Sequence, residues 1–291
     1  AIDRKWKKND VIELTFPMHN SVKYLPNVPQ YIALMHGPIM LGMKTGTEDM
    51  AHLIADDSRF GQYASGKKLS TDQAPILINN DIESIANQLQ PIPGKPLHFT
   101  LTTRMENPIH NELQPFFEIH DSRYMMYWLA LSEDNYKGHL AQLAKAEQER
   151  QALEASTIDK VQPGEQQPET DHRMETDQSF TGNTNDCFWR DANDGHYFSY
   201  LMQTQGQENI ALRLKYWGVG EWKSHEFDIF VDDVLVKSVN NTGKYRISEF
   251  KYEVYDIPAE LLKGKTQVRV KFVAKPGKQI GEIYEVRLIN K

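Results

Sequence analysis

Few residues in this chain have the type and spacing for chemistry, and most fail on context. GQYASGKK (Gly61–Lys68) follows the phosphate-loop pattern GxxxxGK, but Lys68 stands where a Ser or Thr hydroxyl must hold magnesium. Such a loop also needs a buried strand before it and a helix after it. ADDSRF and LSTDQAP supply neither, so the stretch reads as a surface loop. EIHDSRY brings Glu118, His120, Asp121 and Arg123 close together in the chain. Two carboxyls about 5–5.5 Å apart across a cleft would cleave a glycosidic bond with retention. Strand alternation places Glu118 and His120 on one face while the turn redirects Asp121, so a hairpin turn braced by Asp121 and Arg123 is expected instead. DANDGHYF (Asp191–Phe198) offers Asp191, Asn193 and Asp194 as oxygen donors, but its glycine comes one position early and no distal Glu follows. Jelly-roll modules often carry a structural calcium, and that analogy of fold leaves calcium open here. The 10 histidines show no HxxxH or HExxH spacing, and the single cysteine, Cys187, can build neither a zinc cluster nor an internal disulfide. No residue is assigned a catalytic or metal-binding role.

Aromatic side chains are the better candidates. Trp217 and Trp222 flank a Gly218–Val219–Gly220 loop, and Trp189 and Tyr197 lie a little upstream. A sugar ring lays its C–H face on an indole, and its hydroxyls need Asp, Asn, Arg or Glu nearby. Trp189, Arg190, Tyr197, Trp217 and Trp222 are therefore the candidate carbohydrate-binding residues. The competing expectation is that Trp189 and Trp217 belong to a core, as large aromatics usually do. Trp222, between Glu221 and Lys223, reads as a loop residue. Asn240-Asn241-Thr242 fits a glycosylation sequon but is expected to be a turn.

These residues need a β scaffold, and the patterning supplies one. In VIELTF, Ile12, Leu14 and Phe16 alternate with Glu13 and Thr15, as in a half-buried strand. YIALMH and PIMLGM, separated by Gly37-Pro38, read as buried strands, and LHFTLTT alternates as a further one. FFEIH and YMMYWLAL, split by His120-Asp121-Ser122, suggest a hairpin. Residues 48–73 read as loops. SEDNYKGHLAQLAKAEQERQALEAS (Ser132–Ser156) has no β-branched residue and is rich in helix formers, with Ser132 as N-cap. Its apolar stripe of Leu140, Leu143 and Ala144 is narrow, so the helix is expected to be a solvated strut. After it, CFWRDA, HYFSYLM, NIALRLKYWG, HEFDIFVDDVLVKS, FKYEVYDI, TQVRVKFVA and IGEIYEVRLI are strand-like, with Asp232-Asp233 as a tight turn. VQPGEQQPETDH (Val161–His172) is polar, and Pro163 and Pro168 predict an extended docking segment. The fold expected is mainly β, with two β-sandwich (jelly-roll-like) domains joined by a helical linker. The boundaries are an antiparallel β-sandwich at 1–131, the linker at 132–156 and a jelly-roll-like sandwich at 157–291.

Bulk properties narrow the partners. At 291 residues the chain exceeds the size of one core, so two domains are the default. A net charge of −7 argues against a nucleic-acid partner, whose phosphates would demand a basic face. A mean hydropathy of −0.60 and the lack of a long apolar run exclude a helical membrane span. The opening AIDRKWKKNDVIELTF reads like the middle of a domain, so the chain is expected to be a piece of a longer polypeptide.

Several segments together point to a family. Trp6-Lys-Lys-Asn-Asp10 with Pro17-Met18, ALMHGPIML (Ala33–Leu41), PFFEIHDSRYMMYW (Pro115–Trp128), VQPGEQQPETDH and FWRDA (Phe188–Ala192) occur in an order that resembles the C-terminal half of the bacterial β-L-arabinofuranosidase-type glycoside hydrolases. In that family an N-terminal (α/α) barrel carries catalysis with a cysteine nucleophile, a zinc held by Cys and Glu, and a Glu acid/base. None of those motifs lies here, and Cys187 in NDCFWRD does not match the family's cysteine cluster, so no catalytic residue carries over. The resemblance implies an accessory, non-catalytic region of a secreted or periplasmic bacterial hydrolase acting on plant polysaccharide. Its partners would be the catalytic barrel of the same polypeptide and an oligo- or polysaccharide. Two alternatives stay open: a stand-alone carbohydrate-binding protein using the Trp217–Trp222 edge, and a purely structural module without ligand.

Overall fold

The computed structural model describes residues 2–50, 71–184, 186–218, 224–245 and 247–291. GQYASGKK (Gly61–Lys68) and Trp222 lie outside these residues. The chain is mainly β and divides into two compact units, Ala1–Ala144 and Lys145–Lys291. That division falls within a helix, α1 (Glu133–Ser156). The Ser132 hydroxyl accepts the Asn135 N–H at 3.2 Å and its carbonyl accepts the Tyr136 N–H at 2.8 Å, so Ser132 caps the helix as its side-chain chemistry predicts. None of the helix residues is buried, in keeping with a solvated strut.

The first unit holds β1 (Asn20–Leu25), β2 (Val28–His36), β3 (Ile39–Gly46), β4 (Ile76–Ile78), β5 (Leu89–Pro91), β6 (Phe99–Leu101), β7 (Arg104–Glu106), β8 (Glu112–Pro115), β9 (Arg123–Met125) and β10 (Trp128–Leu131). They join in one ten-stranded sheet, ordered β5-β6-β8-β3-β2-β10-β4-β7, with β1 on β2 and β9 on β3. Pairing is antiparallel except between β10 and β4, which run parallel. Ile32, Leu34, Leu41, Met43, Leu77, Ile85, Leu113 and Trp128 fill the core. YIALMH and PIMLGM form β2 and β3, and Gly37, at φ +56°, makes the turn that only a residue without Cβ takes readily.

Three expectations are corrected. Val11–Phe16 is not a strand: it has no ladder partner among the described residues, and Ile12, Leu14 and Phe16 are 50%, 70% and 79% exposed. Alternation licenses a strand only where a neighbour takes up the backbone hydrogen bonds. FFEIH is not half of a hairpin either; Phe116–Glu118 is a 3-10 turn, and β9 and β10 pair with β3 and with β2 and β4 instead. Arg123 donates through Nε and a terminal nitrogen to the carbonyls of Glu48 and Asp49, both at 2.7 Å. VQPGEQQPETDH is not extended. Gln166–Asp171 forms a short helix, α2, with Pro168 in its first turn, where a missing N–H breaks no helical bond.

The second unit is a two-sheet sandwich. Its strands are β11 (Thr157–Val161), β12 (Glu175–Thr176), β13 (Phe180–Thr184), β14 (Cys187–Asp191), β15 (Tyr197–Gln203), β16 (Ile210–Trp217), β17 (Glu226–Val231), β18 (Val234–Asn240), β19 (Phe250–Asp256), β20 (Gln267–Ala274) and β21 (Ile283–Asn290). The six-stranded sheet is ordered β13-β14-β21-β16-β19 with β11 on β21, and the five-stranded sheet β12-β15-β20-β17-β18. Phe198, Tyr200, Phe227, Ile229, Val270 and Phe272 from one sheet meet Leu212, Leu214, Val286 and Leu288 from the other in a single core. Asp232 and Asp233, at φ +47° and +63°, make the two-residue turn between β17 and β18.

Because Ile12 and Phe16 touch solvent, Ile12→Ser and Phe16→Ser are expected to change stability by less than about 0.5 kcal/mol in denaturant unfolding. A loss of about 2 kcal/mol or more would show that this segment is packed after all.

Candidate functional site

At one end of the second sandwich, four chain segments converge on a hollow lined by Tyr216, Trp217, His225, Asn241, Tyr245, Ile280, Gly281 and Glu282. Tyr216 and Trp217 end β16, His225 precedes β17, Asn241 and Tyr245 follow β18, and Ile280–Glu282 lead into β21. Backbone hydrogen bonds tie these segments into one rim. The N–H of Asn241 donates to the His225 carbonyl at 2.8 Å, that of Gln279 to Ser224 at 3.0 Å, and that of Ile280 to Ala192 at 3.0 Å. The Gly281 N–H donates to the buried Asp191 carboxylate at 2.9 Å. Gly281 itself sits at φ +86°, and a Cβ there would lie 2.7 Å from His225 Nδ1. Only glycine lets the loop close onto the imidazole.

The walls are aromatic and the floor is polar. Tyr216 and Tyr245 stack with ring centroids 6.5 Å apart, and Phe250 packs edge-on against Trp217 at 4.8 Å, which holds the indole in place. Both tyrosine hydroxyls point away from ionisation. Burial pushes Tyr216 well above its ordinary value, helped by Tyr255, whose own hydroxyl is pushed up to about 12 by burial. Burial also raises Tyr245, whose hydroxyl donates to Glu253. His225 and Asn241 are 2% and 3% exposed. Among the described residues Asn241 Oδ1 accepts no hydrogen bond. A buried acceptor without a partner costs about 1–3 kcal/mol, so the site retains a polar atom that packing alone does not explain. The buried recess has about 10 Å³ free, room for one water-sized group.

The candidate residues part company here. Trp217 lines the hollow. Trp189 does not: its indole lies over Gly182, its Nε1 donates to Thr184 Oγ1 at 3.1 Å, and Phe180 packs against it edge-on at 6.3 Å. Tyr197, on β15, carries the Lys271 ammonium 5.0 Å from its ring centre. Arg190 is 8% exposed and holds Glu169 by two bonds of 2.6 Å, while donating to Ser179 at 2.5 Å. Glu169 also accepts from the Gly164 N–H at 2.9 Å and the Tyr200 hydroxyl at 2.7 Å. That network explains why VQPGEQQPETDH turns inward: α2 exists to bring Glu169 to Arg190. Trp222 was singled out by sequence and lies outside the described residues. His225, Asn241, Tyr245 and Gly281 were not, because nothing in a linear reading joins positions on separate loops. The Asn240-Asn241-Thr242 turn was visible, and the Asn240 side chain does accept the Thr242 N–H at 2.9 Å.

The calcium-like loop has other work. Asp191 Oδ1 binds Gly281 and Asp194 Oδ1 takes the Gly277 N–H at 2.8 Å, so both carboxylates position the 277–281 loop. Among the described residues no three His, Cys, Asp or Glu side chains group to hold a metal ion. No helix among them is long and apolar enough to cross a membrane.

Comparisons with known proteins agree with two separate parts. Residues 21–130 match the profile of a domain of unknown function, DUF4986, and residues 152–289 match a family of unknown function, DUF6805. No curated protein matches the chain. Among solved structures, a family 35 carbohydrate binding module from Clostridium thermocellum is similar at 11% identity, over 40% of this chain and 92% of that one, with a TM-score of 0.32. The CBM36-1 domain of a multidomain xylanase from the hindgut metagenome of Trinervitermes trinervoides is similar at 13% identity, over 45% and 96%, with a TM-score of 0.33. TmCBM27, a carbohydrate-binding module studied for specific mannan recognition, is similar at 10% identity, over 46% and 97%, also with a TM-score of 0.33. At such scores these likenesses carry no argument about what the chain does.

Removing one partner of the buried pair leaves an uncompensated charge. Glu169→Ala is therefore expected to cost about 3–5 kcal/mol, a fall in Tm of roughly 10 °C, whereas Glu169→Leu with Arg190→Met should come close to wild type. Burial alone would raise the Glu169 pKa, but hydrogen bonds from Arg190, Gly164 and Tyr200 outweigh it and leave it below the ordinary value. A depressed carboxylate stabilises the fold above its unfolded value, about 4.3, and that contribution fades as pH falls through the folded value. Thermal unfolding from pH 6 down to pH 3 should show the loss in wild type and a flatter profile in Glu169→Ala.

Proposed function

We propose that the second unit is a glycan-binding module and that the hollow beside Trp217 holds a sugar residue. The observation that carries this reading is Asn241 Oδ1: a buried acceptor with no donor among the described residues, next to a half-buried indole, in a recess with room for one water-sized group. Sugars present both complements at once, a C–H face for the ring and a hydroxyl for the acceptor. Stacking a sugar on Trp217 would remove about 60–100 Å² of apolar surface from water, worth roughly 1.5–2.5 kcal/mol. Neither an ionised nucleophile nor a metal is needed to hold such a ligand, and the tyrosines of the wall stay protonated, with Tyr245 bonded to Glu253 and Tyr216 to Tyr255.

The role proposed for the whole chain is accessory. In this reading it is the C-terminal region of a β-L-arabinofuranosidase-type hydrolase acting on plant polysaccharide outside the bacterial cytoplasm. The first unit braces a catalytic (α/α) barrel of the parent polypeptide and the second holds glycan. The exposed apolar side chains of the first unit favour that bracing role. Trp6, Val11, Ile12, Leu14 and Phe16 crowd into one segment at 49–84% exposure, more apolar surface than a solvated segment needs. No calcium is included, since Asp191 and Asp194 already serve the loop that forms the hollow.

Two variants test the glycan reading on polysaccharide affinity gels and by titration calorimetry with oligosaccharides. Trp217→Ala should weaken binding roughly 10- to 70-fold. Asn241→Leu should abolish detectable binding yet leave Tm unchanged or raise it by about 2–4 °C, because it removes a buried acceptor that no described residue satisfies. Full affinity in both variants would end the proposal.

A further inference from the structure

We infer that His172 is a cationic latch: its doubly protonated imidazole ties the end of α2 to β11, and loss of one proton opens the tie. Donors and acceptors force the charge. Nδ1 lies 2.6 Å from the Pro168 carbonyl oxygen, and Nε2 lies 3.1 Å from Asp159 Oδ1. A carbonyl and a carboxylate only accept, so both bonds exist only if each ring nitrogen brings a proton. Both Asp159 oxygens already serve as acceptors, Oδ2 for the Gln203 N–H at 2.6 Å and Oδ1 for the Lys160 N–H at 2.9 Å. The neutral ring has one proton for its two partners. Kept on Nδ1, that proton leaves a lone pair facing the Asp159 carboxylate and breaks the tie to β11. Kept on Nε2, it leaves a lone pair facing the Pro168 carbonyl and frees the last turn of α2. Turning the ring over sets a carbon against each acceptor and recovers neither bond.

The surroundings favour the charged ring. The His172 and Asp159 side chains are 15% and 14% exposed, so water does not readily replace a broken bond. Asp171, on α2, adds a second negative charge. Lys160, beside Asp159 on β11, is turned to Glu154 at 3.5 Å. Arg173 follows His172 in the chain, and its carbonyl accepts from Arg269 of β20, which in turn pairs with Glu175 at 3.0 Å. β15 meets His172 with a neutral donor, the Leu201 N–H, 2.7 Å from the His172 carbonyl. The bond to Asp159, the Pro168 carbonyl and the charges of Asp159 and Asp171 outweigh burial and raise the imidazole above its ordinary value. A cation so raised stabilises the fold fully below its unfolded value, about 6.5, and that contribution is lost as pH rises through the folded value. The latch therefore opens on the alkaline side, and it opens on the helix that carries Glu169 to Arg190.

Two readings on the whole wild-type chain test the latch between about pH 5.5 and about pH 9.5. Imidazole nitrogen resonances, assigned with His172→Gln, follow the protons on the ring by NMR. Hydrogen exchange at the Glu169, His172 and Met174 amides, each referred to its intrinsic rate at the same pH, follows the opening of α2. His172 is expected to keep both protons past the pH at which exposed imidazoles lose one. Opening of α2 should then grow by up to about tenfold per pH unit from about 6.5 until the ring is neutral. In His172→Gln the opening should not vary over that range, and in Asp159→Asn the ring should titrate at lower pH than in wild type. A ring that titrates at or below about 6.5 would overturn the latch. So would a raised titration that leaves α2 exchange unchanged, or one that Asp159→Asn does not lower.

Discussion

The site depends on one close approach. Gly281, in the left-handed region and anchored by the Asp191 carboxylate, lies so near the His225 imidazole that no Cβ fits between them. That contact brings the segment before β21 against the segment before β17, and the backbone bond from Asn241 to His225 adds the segment after β18. With the rim closed, Asn241 Oδ1 is buried and has no donor among the described residues. The buried polar acceptor at the base of the hollow thus belongs to the loops that close above the sandwich and not to its apolar core.

Beneath the loops, the sandwich supplies rigidity in two ways. Its shared apolar core fixes the strand ends from which the loops depart. The Glu169–Arg190 pair, satisfied by Gly164, Tyr200 and Ser179, locks α2 and β14 to β15 and so fixes the start of the Asp191 loop. Arg190 and Asp191 are neighbours on one strand. The first holds the interior and the second, facing the opposite way, holds Gly281. A charged pair buried this completely needs every donor and acceptor matched, and here each carboxylate oxygen has its partner.

Legibility in the sequence followed the range of the interactions. Long alternating runs such as TQVRVKFVA and NIALRLKYWG could be read at once, since seven or eight residues of period two leave little alternative. So could α1, whose composition and cap are local, and the Asp232-Asp233 turn. The three- and four-residue strands of the first unit are too short for any period to show, and their pairing, including the parallel β10–β4 contact, is set by tertiary packing. VIELTF had the period without a neighbour to pair with. VQPGEQQPETDH had the prolines of an extended segment, yet Pro168 falls where a helix tolerates it, and Glu169 finds an arginine 21 positions away that no window contains. Trp217 was visible as an aromatic beside a glycine loop. Asn241, His225 and Gly281 were not, because their meaning lies in mutual distances.

The central claim is that this hollow is where a sugar docks. Amide and indole resonances of an isotope-labelled chain, followed by NMR during titration with an oligosaccharide retained on the affinity gels, test it most directly. The account predicts shifts concentrated on the Trp217 indole N–H, the Asn241 side-chain amide and the backbone of Gly218, Tyr245 and Gly281. Shifts centred on Trp189, Tyr197 or the first unit, with the hollow unmoved, would contradict it.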